Sequence, residues 1–67
     1  MDAFGKRLRV FRLAKGFTQE RLANECDFPP SHISRIETGD VNTSLSHIAR
    51  IAKVLDVPLN ELMDLQI

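Results

Sequence analysis

Apolar residues along this chain recur at helical spacing, and punctuating residues cut the recurrences into five short pieces. In the first piece Phe4, Leu8 and Phe11 fall at i, i+4 and i+7, which gives a helix from about Ala3 to Lys15 one apolar face. Gly16 ends it, because glycine accepts the left-handed conformation that follows a helix. Thr18 is suited to cap a second helix, Gln19 to Cys26, with Leu22, Ala23 and Cys26 turned inward. A third runs from about Pro30 to Thr38 around Ile33 and Ile36 and stops at Gly39. Thr43 or Ser44 caps a fourth, Leu45 to Leu55, with Leu45, Ile48, Ala52 and Leu55 as its buried stripe. Pro58 suits the first turn of a fifth that reaches about Gln66. Nothing alternates with period two, so the pattern predicts an all-α, compact five-helix domain.

The paired prolines, Pro29 and Pro30, interrupt this pattern only locally. Proline is accepted at the first helical position, where its missing N–H would be unpaired anyway, and Pro30 is placed there. Pro29 keeps Phe28 out of helical dihedrals. Together they separate the second helix from the third and stiffen the start of the third, which matters if that end touches a partner.

At 67 residues the chain is read as a single domain, 1–67, with a core small enough that locally connected helices are the economical solution. No stretch approaches the ~18 apolar residues of a membrane span, and the N-terminus lacks the apolar core of a secretory signal. The lone Cys26 cannot form an internal disulfide, which points to the reducing cytoplasm. The net charge is zero, but Lys6, Arg7, Arg9, Arg12 and Lys15 crowd the first segment while Asp56, Glu61 and Asp64 mark the last. A neutral domain can therefore still present a basic face.

The stretch TQERLANECDFPPSHISRIETG resembles the helix-turn-helix of the phage repressor and Cro family. The matching residues are Thr18, Gln19, Glu20, Leu22, Ala23, Ile33 to Glu37 and Gly39. GKRLRVFRLAKGFTQ is similar to the family's first helix, and TSLSHIARIAKVLDVPLNEL to its fourth and the start of its fifth. Within the family the chain is closest in type to the small controller proteins of restriction–modification systems. Three positions depart from the pattern. Asp27 stands where the turn usually has glycine, Pro29 where a serine or threonine commonly caps the recognition helix, and the loop TGDVNT lacks the bases that relatives often direct at phosphates.

The resemblance implies a double-stranded DNA-binding transcriptional regulator with its third helix in the major groove. Opposite Ile33 and Ile36 lie Ser31, Ser34, Arg35 and Thr38. Arg35 is the strongest reader, since its planar fork matches guanine O6 and N7, and Ser31 and Ser34 bond base edges less selectively. Gln19, His32, Thr38, Asn42 and Thr43 are placed at the DNA backbone or flank. Arg12 and Glu37 are expected to form an ion pair across the first and third helices. One recognition helix reads few base pairs, so a homodimer is expected, with Leu59, Met63, Leu65 and Ile67 at the interface. No cofactor, metal or small-molecule substrate is implied. Cys26, His32 and His47 match no zinc spacing, and Cys26 falls on an inward face, so no enzyme is read here. The alternative is an antitoxin or adaptor that uses the same fold to bind protein.

Overall fold

The computed structural model describes residues 3–41 and 43–63. Its elements are α1 (Ala3–Ala14), α2 (Gln19–Glu25), α3 (His32–Thr38), α4 (Leu45–Leu55) and α5 (Leu59–Leu62). The described residues contain no strand. α1 packs on α3 and α5, α2 on α3 and α4, and α4 on α5. Leu8, Leu22, Ile33, Ile36, Ile51, Leu55 and Leu62 are fully buried at the centre, with Cys26 among them. Each such aliphatic side chain contributes about 1.5–3 kcal/mol by leaving water. Phe4, Phe11, Phe17, Val54 and Met63 close the core from outside.

Helix ends follow the capping residues. Thr18 Oγ1 accepts the Arg21 N–H at 3.0 Å, and Ser44 Oγ accepts that of His47 at 3.3 Å. Gly16 and Gly39 take φ of 78° and 84°. Asp27 fills the left-handed position after α2 at φ 62°, and Asp56 does the same after α4 at φ 59°. At both ends the same pair of hydrogen bonds closes the helix. Phe28 N–H donates to Ala23 O at 2.8 Å and Asp27 N–H to Asn24 O at 3.1 Å. Val57 N–H donates to Ala52 O at 3.0 Å and Asp56 N–H to Lys53 O at 3.2 Å. Aspartate tolerates this conformation at about 1 kcal/mol, less well than glycine.

Three expectations change. Helix α3 begins at His32, not Pro30. His32 N–H donates to Pro29 O at 3.0 Å, so Pro30 and Ser31 form the centre of a turn, where a fixed proline φ fits the first central position. Leu45 is 61% exposed, because it opens α4 ahead of the packed stretch, and Ile51 takes the inward place beside Ile48, Ala52 and Leu55. Pro58 precedes α5 as its cap residue, and the helix closes at Leu62 with Met63 after it. The expected continuation to Gln66, and the expected interface residues Leu65 and Ile67, lie outside the described residues.

Two features fix α1 against α3. A side chain on Gly5 would place its Cβ 2.6 Å from Ile36 O and 2.8 Å from Glu37 O, so only glycine permits this approach. One helix turn or more further along, Arg12 reaches Glu37. Its Nε donates to Glu37 Oε2 at 2.6 Å and its Nη2 to Oε1 at 3.2 Å, while Nη1 donates to Phe17 O at 2.8 Å. The two side chains are only 6% and 3% exposed. Gln19 Nε2 adds a donor to Glu37 Oε1 at 2.9 Å. A buried carboxylate is tolerable only with such a set of partners.

Gly5→Ala is expected to destabilise the protein by ~1–3 kcal/mol, because the added methyl meets backbone that cannot rotate away. An unchanged urea midpoint would show that α1 and α3 separate freely. Arg12→Ala is expected to cost ~3–5 kcal/mol, since it leaves a dry carboxylate without its cation. Thermal unfolding of the variant at neutral pH checks this, and a melting temperature equal to wild type would remove the ion pair from the fold's energetics.

Candidate nucleic-acid interface

The outer side of α3 is polar because its inner side is fully committed. Ile33 and Ile36 are in the core and Glu37 is in the ion pair. Ser31, Arg35 and Thr38 succeed one another at i, i+4 and i+7 and are exposed, with Ser34 half-buried beside them. Arg35 makes no side-chain hydrogen bond or ion pair among the described residues, so its five donors point into solvent. Thr38 Oγ1 donates to Arg35 O at 3.2 Å, a local bond at the end of the helix. Ser31 precedes α3 with φ −89° and ψ −1°, and its hydroxyl makes no capping bond. The hydroxyl is therefore available to a partner.

The flanking residues sit differently from one another. Gln19, expected at a phosphate, gives one amide hydrogen to Glu37, because α2 starts directly beside the ion pair. His32, expected on the flank, turns its ring into the protein. Phe28 meets it edge-on at 4.8 Å and His47 at 5.6 Å, and its Nε2 is buried without a hydrogen-bond partner. Burial first, then the His47 and Arg35 charges, lower its pKa from the ordinary 6.5, so the neutral imidazole is the resident form. The Thr43 hydroxyl is likewise buried and without a hydrogen-bond partner among the described residues, while the residue as a whole is half-buried. Asn42 lies outside the described residues.

Charge over the surface is uneven. Lys6, Arg9 and Lys15 are exposed on or just after α1. Arg7 is turned to α5, where its Nε donates to Glu61 O at 2.7 Å. After α3, Asp40 is exposed in a loop that carries no base. Burial pushes the Cys26 thiol up to about 11, opposed only in part by the Arg50 charge, so it stays protonated and unreactive. No cluster of three or more metal-binding side chains occurs among the described residues. Helical periodicity did not disclose the Phe28, His32 and His47 rings as one group, because they belong to a turn and two separate helices.

A helix-turn-helix family model matches residues 8–62, which span α2, the turn and α3 with their supporting helices. The control protein C.BamHI of Bacillus amyloliquefaciens is 45% identical over 62 residues, covering 91% of this chain and 76% of that protein. The crystal structure of the restriction–modification controller protein C.AhdI from Aeromonas hydrophila superposes with a TM-score of 0.84 at 42% identity, over 88% of this chain and 89% of that one. The biofilm master regulator SinR, crystallised in complex with DNA and known from Bacillus subtilis, superposes at 0.84 with 31% identity, over 91% and 98% of the two chains. The chain belongs to the helix-turn-helix family of non-enzymatic transcription regulators and is related within it to restriction–modification controller proteins.

Proposed function

We propose that the protein is a sequence-specific double-stranded DNA-binding regulator that acts in the cytoplasm as a homodimer, with α3 in the major groove of each half-site. The observation that carries this reading is the exposed ridge of Ser31, Arg35 and Thr38 on a helix whose other side is held by the core and the ion pair. A rigid helix with one unpaired guanidinium on its outer side suits the reading of base edges. SinR, 31% identical, has been crystallised with DNA, which supports a duplex as the partner. Ser34 supplements the ridge at its margin. The second amide hydrogen of Gln19 and the Thr38 hydroxyl suit phosphate contacts that fix register, and Asn42 has the side-chain chemistry for another. His32 acts behind the ridge, on the protein side.

For the dimer, Leu59 supports an interface that includes Met63, Leu65 and Ile67. Leu59 is 37% exposed beside the buried Leu62, leaving an apolar side chain outward on α5. Two copies would set two recognition helices about one helical turn, ~34 Å, apart along a duplex. The antitoxin or adaptor role is the outcome if no duplex is retained.

Arg35→Ala is expected to lose ~1–3 kcal/mol on the best operator selected from random DNA and to relax preference at one base pair in each half-site. Arg35→Lys should restore this only in part, because lysine lacks the planar fork. Binding to single-base operator variants at fixed salt checks both. An equal loss on every variant would make Arg35 a backbone contact. Wild-type affinity that does not fall with rising salt, or no binding to any duplex, would favour the adaptor role.

Sedimentation is expected to show a dimer at micromolar concentration, shifted toward monomer by Leu59→Asp. A species that is monomeric at all concentrations, with and without operator, would overturn the dimer.

A further inference from the structure

The turn that aims α3 is gripped from α4. After α2, the carbonyls of Ala23 and Asn24 accept the Phe28 and Asp27 N–H groups. The Cys26 carbonyl receives Arg50 Nη1 instead, at 3.1 Å. A guanidinium donor makes this a charge-assisted bond at a helix end that would otherwise lack a partner. The same guanidinium lies 5.7 Å from the centre of the Phe28 ring. His47, one turn earlier on α4, meets Phe28 edge-on at 4.9 Å, and Phe28 in turn meets His32, the first residue of α3. Phe28 is buried, so its ring is a fixed post between the two helices. Helix α4 is itself rooted by Ile51, Ala52 and Leu55. One turn of α4 therefore brackets the post and holds the backbone that leads into α3.

We propose that Arg50 is a positioning residue for sequence recognition: through Cys26 O and Phe28 it sets the pitch of α3, and with it the reach of Arg35. This rests on the reading of α3 as the DNA-contacting helix. Arg50 itself reaches back toward the α2–α3 turn and needs no contact with DNA to act. A residue that serves only overall stability would change the folded fraction but not the affinity of molecules that are folded. A residue that places Arg35 would lose its effect once Arg35 is gone.

The experiment is a double-mutant cycle on the full chain with a labelled duplex carrying the selected operator, at a temperature where every variant is fully folded. Arg50→Met keeps the aliphatic stem and removes the donor. It is expected to weaken binding about tenfold in the wild-type background and less than about twofold in Arg35→Ala, the non-additivity of residues that act as a unit. Arg50→Lys, which can still donate to Cys26 O, should lose no more than about threefold. Ring resonances of His32 and Phe28 in the free protein should move in Arg50→Met and stay close to wild type in Arg50→Lys. Equal losses in both backgrounds, or unmoved rings with wild-type affinity, would overturn the role of Arg50 while leaving DNA binding intact. Wild-type protein that retains no duplex would overturn both readings.

Discussion

The Glu37 carboxylate is the point at which three helices meet. Arg12 of α1 forks onto both of its oxygens, and Gln19 of α2 shares one of them. The third guanidinium contact, to Phe17 O, ties in the connection between those two helices. An apolar cluster of the same volume would exclude water as well, but it would accept many relative rotations of its helices. A forked ion pair with an amide beside it accepts few, because each donor has one direction and a missed bond leaves charge in a dry place. The core supplies the free energy of association, and this group ties the C-terminal end of α3 to α1 and to the start of α2.

That division explains how a net-neutral chain can carry a directed surface. The charges are sorted by depth. Arg12 and Glu37 are enclosed and cancel, Arg21 and Glu25 pair along the exposed side of α2 at 3.0 Å, and Arg7 is held by Glu61 O. Outward charges include Arg35 on α3 and Asp40 just after it, with Lys6, Arg9 and Lys15 on the first segment. Total charge averages over these fates and so says little about any one face.

Much of this was legible in the sequence because helical period and caps are local. Ile48, Ala52 and Leu55 repeat at core spacing, and Thr18, Ser44, Gly16 and Gly39 mark ends by their own chemistry. Asp27 was placed at the left-handed turn by the residue it replaces in a recurring motif, and Arg12 and Glu37 were paired by the same comparison. What was not legible depends on partners distant in the chain. Nothing around Gly5 announces that the carbonyls of Ile36 and Glu37 press on it. Gln19 looks like a free polar residue until α3 brings Glu37 to it. Leu45 satisfies the apolar period yet lies beyond the packed length of α4, since period gives direction around a helix and not depth along it. His32 has the polarity of a surface residue, and only the meeting of two helices over Phe28 turns it inward.

Asp27 and Asp56 have a consequence that no contact in the native state displays. Two of the four left-handed helix ends among the described residues, those after α2 and after α4, use aspartate where glycine would fit with less strain. Glycine would relax the folded turn, but it would also widen the ensemble of denatured conformations that folding must abandon. Aspartate exchanges about 1 kcal/mol of local strain for a narrower denatured ensemble. In so small a domain, where each increment is a noticeable share of the total, part of what keeps these turns in place therefore belongs to the disordered chain and to the freedom it never had.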